Sequence, residues 1–337
     1  MGVNLPAPHI AVLGAGSWGT ALAMQLDRAG CPTTLWGRDP LHLEDIQRSG
    51  SNERYLPGVA MPTAIQLQPD LEKAVTGCEQ LLIVSPSHAF GEVLQQVSEW
   101  LPAGAGVAWA AKGFEPGSGR LLHEVAQSTL GNNPLAVVTG PSFAIEVAKD
   151  LPTAVTVAAT EHDFGRLIAT ALHAGNFRTY YTDDIVGAEL GGAVKNVMAI
   201  ATGICDGMQL GDNARAALIT RGLAEMMRVG RAMGARPETL MGLAGMGDLV
   251  LTCTCDKSRN RRLGLALGQG QTIRHALEEI DQVVEGVGAA EEVVRLAYAH
   301  DVEMPISEQV HGIIHKGWDP FEGVRRLLSR EQKHETD

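Results

Sequence analysis

The run HIAVLGAGSWGTALAMQLDRAG, residues 9–30, constrains the fold more than any other stretch of the chain. Residues 10–13 form a short apolar run of the kind found in a parallel strand buried on both faces. Gly14, Gly16 and Gly19 follow in the spacing G-x-G-x-x-G, and residues 20–29 carry helical periodicity up to a stop at Gly30. The glycine pattern alone is a weak signal. Between a strand and a helix, at the head of a chain with further strand candidates, it marks a dinucleotide-binding unit. Gly14 then permits the tight turn, Gly16 lets the backbone approach a pyrophosphate, and Gly19 lets helix and strand pack closely. The helix start offers its free N–H groups to the phosphates.

The next strand candidate is 31–36, followed by Gly37, Arg38 and Asp39. NAD enzymes usually place an acid at the end of this strand to hold the ribose 2′-hydroxyl. Here Arg38 comes first, and its fork suits a 2′-phosphate; the alternative is a loop arginine paired with Asp39. Strand candidates recur at 81–84, 107–111, 135–138, LPTAVTVAAT and NFRTYYTDD, with helical patterns at 90–100 and 119–130 between them. This alternation predicts an α/β fold with a doubly wound, mostly parallel sheet over residues 9–186. Beyond it the segments 186–206, 213–234, 259–268, 272–280, 287–300, 305–316 and 320–329 read as helices, so an all-helical second domain is expected over 187–330.

Composition narrows the function. The 337 residues suit two domains, and the net charge of −12 argues against general binding to nucleic acid or anionic membrane. The five cysteines, Cys31, Cys78, Cys205, Cys253 and Cys255, are odd in number and scattered. They form no disulfide framework, and Cys253 and Cys255 lack a matching second pair for a metal. No apolar stretch approaches about 18 residues, so no membrane span is expected. The N-terminus has no basic flank or long apolar run, and the expected compartment is the reducing cytosol.

Ligands of open α/β sheets bind beyond the carboxyl ends of the strands. That gathers Ser85-Pro86-Ser87, Lys112 and Gly140-Pro141-Ser142 around one crevice. A second cluster is LAGMGDLVLTCTCDKSRNRRLG, with Asp248 in a glycine-flanked turn. Lys257, Arg259, Arg261 and Arg262 are four basic residues in six. Ser258 can cap a helix starting near Arg259, which would make a phosphate cradle; the alternative is a solvated helix face. Finally, Lys195 lies in VGAELGGAVKNVMAIATGICD on a ridge of small residues: Ala188, Gly191, Gly192, Ala199, Thr202, Gly203 and Asp206. Such a ridge admits either another helix or a ligand.

Together, GAGSWGTALA, SPSHA, AAKGFE, TGPSFAIEVA, ELGGAVKNVMAIATGI, GLAGMGDLVLTC and SRNRRLG resemble the bacterial type of NAD(P)-dependent sn-glycerol-3-phosphate dehydrogenase, from about residue 9 to residue 328. The resemblance implies interconversion of dihydroxyacetone phosphate and sn-glycerol 3-phosphate with NADPH, NADH being possible, and a supply of glycerol phosphate for phospholipids. It implies that Ser17, Trp18, Arg38 and Ala144 contact the cofactor beside the glycine loop, and that Val283 and Glu285 do so late in the chain. Lys112, Gly140 and Ser142 become substrate-side contacts, with Lys112 also reaching the cofactor. Lys195 matches the family's proton donor and acceptor. Asp248, Ser258, Arg259 and Asn260 match its glycerol phosphate contacts, Arg259 being shared with the cofactor. Gly37 departs from many relatives, which carry a second basic or polar residue there; this weakens the case for strict NADP preference.

In that role Lys195 needs a pKa below its usual ~10.4, and burial with Lys112 and Arg259 nearby would supply it. Asp248 opposes that shift and is cast as an orienting group. Small-residue helical faces suit a homodimer. Two other readings remain: a two-domain dehydrogenase of β-hydroxyacids, disfavoured by the SRNRR cluster, and an inactive nucleotide-sensing regulator, disfavoured by Lys195, Lys112 and Asp248.

Overall fold

The structure, a computed structural model, describes residues 7–332 and 334. Eight strands form one sheet: β1 (Ile10–Leu13), β2 (Thr33–Trp36), β3 (Gln66–Gln68), β4 (Gln80–Ile83), β5 (Val107–Trp109), β6 (Leu135–Thr139), β7 (Thr153–Ala159) and β8 (Phe177–Thr182). Between them run α1 (Ser17–Arg28), α2 (Pro40–Ser49), α3 (Leu71–Thr76), α4 (Ser87–Ser98), α5 (Leu122–Leu130), α6 (Ala144–Ala148) and α7 (His162–Leu172). The rest is helical: α8 (Ile185–Gly207), α9 (Asp212–Ala232), α10 (Pro237–Met241), α11 (Asp248–Thr254), α12 (Arg259–Gly268), α13 (Ile273–Ile280), α14 (Glu285–Ala299), α15 (Pro305–Lys316) and α16 (Pro320–Leu328).

The strand order is β3-β2-β1-β4-β5-β6-β7-β8, parallel throughout except where β6 meets β7 antiparallel. The α/β class and the mostly parallel sheet match the expectation. The order turns at β1, which lies between β2 and β4. That switch point is where an open α/β sheet leaves a crevice for a ligand. Strands β1, β5 and β6 are buried along their whole length, which explains why they read as unbroken apolar runs. Helices α2 and α7 went unread in the sequence. Asp39 caps α2 by accepting from the N–H groups of Leu41 and His42, with Pro40 at the first helical position.

Helix α8 leads the chain out of the sheet and forms the axis of the helical part. It is long and apolar enough to cross a membrane by length and composition, contrary to the sequence expectation, with a mean hydropathy of 1.2. Yet 94% of that 18-residue window is buried inside the fold. The ridge of small residues explains the burial. A Cβ on Gly203 would strike the Arg261 carbonyl, and one on Gly264 would strike the Ile200 carbonyl, so α8 and α12 touch backbone to backbone. Gly207 and Gly268 continue the seam. Gly191 takes the backbone at Ala244 and Gly245. Most of the ridge therefore receives protein, and only the stretch around Gly192 and Lys195 opens towards the sheet.

Candidate active site

The nucleotide end is built by close backbone approach. Gly14 has φ +132°, and a Cβ there would collide with the Val84 carbonyl at the end of β4. A Cβ on Gly19 would collide with the Gly14 carbonyl, so α1 rises directly off the loop. Gly16 caps α1 without a side chain, leaving the first N–H groups of the helix facing the crevice. Two buried polar atoms there lack a protein partner, Trp18 Nε1 and Ser85 Oγ. Their position beside the glycine loop fits a bound dinucleotide. Ser17 Oγ donates to the Tyr55 carbonyl at 2.6 Å, which ties the loop to the segment after α2. Arg38 is exposed just past β2. Asp39 pairs with Arg54 at 3.6 Å.

At the ends of β5 and β6 the three residues expected to do chemistry come together. Asp248 is 1% exposed and bridges both lysines: Lys195 Nζ donates to Oδ1 at 2.7 Å, and Lys112 Nζ donates to Oδ2 at 2.7 Å. Lys112 also donates to the Gly140 carbonyl at 3.0 Å, and Lys195 to Thr252 Oγ1 at 2.9 Å. Burial pushes the Lys195 ammonium down to about 8; Asp248 opposes the shift, and Lys112 adds to it. The geometry follows from local structure. Asp248 sits at the start of α11 after a π-helical turn, Leu243–Gly247, rather than in the open turn that its glycine neighbours suggested. Thr252 follows one turn later on the same face. It was missed in the sequence, as was Asn196, whose Nδ2 is buried without a protein partner.

The basic cluster divides. Ser258 caps α12 by accepting from the Arg261 N–H at 3.2 Å. Asn260 donates to Asn196 Oδ1 at 2.9 Å and accepts from the Gly286 N–H at 2.8 Å, which ties α12 to α8 and to the start of α14. Arg259 is half-buried between them. Arg261 is buried against Asp206 and Asp256, Lys257 pairs with Glu146, and Arg262 is exposed. Glu285 opens α14 and is half-buried. Burial raises its carboxyl pKa, while the cations Arg259, Lys195 and Lys112 hold it back. Val283 is 44% exposed one loop earlier. Ser142 Oγ donates to the Gly140 carbonyl at 3.2 Å, and Ala144 begins α6 beside it. Among the described residues no group of three or more histidine, cysteine or acidic side chains could hold a metal, and all five cysteines are free.

This arrangement can hold an anion at the start of α12 and a polar group at the lysines, next to a dinucleotide. Comparison with known proteins points the same way. Residues 9–165 match the family model described as NAD-dependent glycerol-3-phosphate dehydrogenase N-terminus, and residues 184–325 match the model of its C-terminus. The chain is 61% identical over 334 residues to a glycerol-3-phosphate dehydrogenase (NAD(P)+) of Stenotrophomonas maltophilia strain K279a, covering 99% of this chain and 98% of that one. It is 58% identical over 331 residues to one from Xanthomonas campestris pv. campestris strain B100, covering 98% and 97%. The crystal structure of glycerol-3-phosphate dehydrogenase from Coxiella burnetii superposes with a TM-score of 0.92 at 49% identity, covering 96% of this chain and 99% of that one.

Proposed function

Since the chain belongs to the NAD-dependent glycerol-3-phosphate dehydrogenase family, we propose that Lys195 is the proton donor and acceptor of its reaction, with Asp248 and Lys112 orienting it. The enzyme interconverts dihydroxyacetone phosphate and sn-glycerol 3-phosphate with NADPH, and NADH also serves. The observation that carries the residue roles is the chain Lys112–Asp248–Lys195 at the crevice, with burial lowering the Lys195 ammonium to about 8.

The phosphate of the substrate sits at the start of α12, where Arg259 and the helix N–H groups offset its charge and Asn260 fixes the entry to α14. Ser258 serves mainly through its cap, which shapes that helix start. The carbonyl end then lies against Lys195, with Lys112, Gly140 and Ser142 on the sheet side. Gly14, Gly16, Ser17, Trp18, Gly19, Arg38, Ala144, Val283 and Glu285 would hold the dinucleotide, which when bound would supply or accept the hydride. Lys195 gives its proton to the substrate oxygen as negative charge develops there, and takes it back in the reverse direction. A lysine with a pKa of about 8 can do both near neutral pH. Asp248 bridges the two ammonium groups, offsets their repulsion and aims them.

The same reading divides the chain at the start of α8 into a nucleotide-binding part, 9–186, and a catalytic helical part, 187–330. It includes a role in supplying glycerol phosphate for phospholipids, a cytoplasmic location in keeping with five free cysteines, and pairing of two copies. The small faces that suggested pairing are largely spent inside one chain at Gly203 and Gly264, so pairing must use another surface. The test is a turnover assay that follows NADPH oxidation with dihydroxyacetone phosphate. Lys195→Ala should lower kcat by about 10²–10⁴-fold with cofactor affinity little changed. A folded variant that retains more than about a tenth of wild-type kcat would remove Lys195 from the mechanism.

A further inference from the structure

A second buried polar network lies beneath the lysines, between the two elements that carry them. Glu189, on α8, is 5% exposed. Its Oε1 accepts from Trp109 Nε1 at 3.2 Å and from the His123 N–H at 3.1 Å, and its Oε2 meets His123 Nδ1 at 2.5 Å. Trp109 is the last residue of β5, fully buried, with its ring 5.4 Å from that of Phe90. His123 stands in the first turn of α5. Lys112 follows Trp109 by three residues, and Lys195 follows Glu189 by six, about 9 Å along the helix at ~1.5 Å per residue. Halfway between is Gly192, where a Cβ would lie 3.4 Å from Lys112 Cγ and 3.1 Å from Thr139 Oγ1. Glu189 and Gly192 thus make two successive contacts of α8 with the sheet side, and Lys195, about one turn further on, reaches Asp248 and Thr252 of α11.

We propose that Glu189 is a positioning residue: by gripping Trp109 of β5 and His123 of α5, it sets where Lys195 stands relative to Lys112. The inference rests on the catalytic roles given above. A buried carboxylate is costly unless its donors are in place, and here three converge on it. Their angular requirements select one rotation and one height of α8 against β5. Without them the apolar contacts of Ile185 and Ala188 still hold α8 on the sheet, but they tolerate sliding. A displacement of about 1 Å at Lys195 is enough to cost about 10²-fold in rate. The anion site at α12 is seamed to α8 and would move with it as a unit, keeping its own geometry, and the glycine loop at β1 does not touch this grip.

The test uses the full-length enzyme with dihydroxyacetone phosphate and NADPH, comparing wild type with Glu189→Ala, Glu189→Gln and Trp109→Phe. Glu189→Ala should lose about 10–100-fold in kcat, with KM for dihydroxyacetone phosphate and Kd for NADPH within about threefold of wild type. Glu189→Gln keeps an acceptor for Trp109 and the His123 N–H, so most of the loss should be restored. Trp109→Phe keeps an aromatic ring but deletes the indole N–H and leaves a small cavity; it should lose about 3–10-fold in kcat, and it serves as the test if Glu189→Ala fails to fold. Folded variants with a lowered Tm and wild-type kcat would overturn the proposal and make the network purely structural. A proportional loss of kcat and of both affinities would overturn it too. An inactive wild type would instead sink the assigned reaction.

Discussion

Asp248 holds the two lysines, so its replacement tests the electrostatics of the site with a sign. In the folded protein Lys195 titrates at about 8 because burial lowers it more than Asp248 raises it, with Lys112 lowering it further. Asp248→Asn keeps the shape and an acceptor but removes the charge. A charge-assisted hydrogen bond is worth about 1.5–3 kcal/mol, and ~1.4 kcal/mol corresponds to one pH unit of titration. Lys195 must be protonated to reduce the ketone, so wild-type kcat/KM for dihydroxyacetone phosphate should fall as pH rises through about 8. In Asp248→Asn that falling limb should move towards acid by about 1–2 pH units. Lys112→Met removes a cation instead, so its limb should move towards alkali. Both variants will also lose absolute rate, since both side chains orient Lys195; only the limb position is diagnostic. Oxidation of sn-glycerol 3-phosphate needs neutral Lys195, and its rising limb should shift the same way in each variant. The substrate phosphate titrates near ~6, identically for every variant. An alkaline shift in Asp248→Asn, or limbs that move together in the two variants, would refute the assignment of that limb to Lys195.

Arg38→Ala should weaken NADPH more than NADH by about 1.5–3 kcal/mol, measured as Kd for each; equal losses would show that it does not read the 2′-phosphate. Arg259→Ala should raise KM for dihydroxyacetone phosphate strongly and leave any activity on unphosphorylated dihydroxyacetone nearly unchanged, and the same loss on both would take Arg259 off the phosphate. Glu225 accepts from the N–H groups of Ile306 and Ser307 at 2.6 and 3.1 Å, so Glu225→Ala should cost about 1–3 kcal/mol in urea unfolding by orphaning the start of α15. Burial raises the Glu225 carboxyl to about 7, above its unfolded value. Its titration therefore favours folding below pH ~4.5, and that contribution fades as pH rises through about 7; wild type should show this slope and Glu225→Gln should not.

Some of the site is decided by contacts within a few residues, and those parts can be read from the chain. The steric demand at Gly14 and Gly19 comes from their own loop and the next strand, and a Ser258 cap needs only the turn that follows it. Other parts depend on what packs from far away. Gly245-Met246-Gly247 reads as a turn because glycine is permissive, yet Gly245 is pressed against the Leu240 carbonyl and the backbone winds straight into α11. Once α11 is known to be a helix, Thr252 falls one turn from Asp248 and its contact with Lys195 follows. The grip of Glu189 on Trp109 joins residues 80 apart and leaves no periodic mark. The small ridge on α8 shows the limit most clearly. Its spacing establishes that something approaches the helix closely, and a glycine seam with α12 satisfies that demand as well as a ligand does. Packing assigns Gly203 to the neighbouring helix and Gly192 to the lysine of the sheet. The same ridge thus fixes α12, which carries the anion-binding turn, and leaves Lys195 beside Lys112: one stripe of small residues sets the distance between the phosphate end and the reacting end of the crevice.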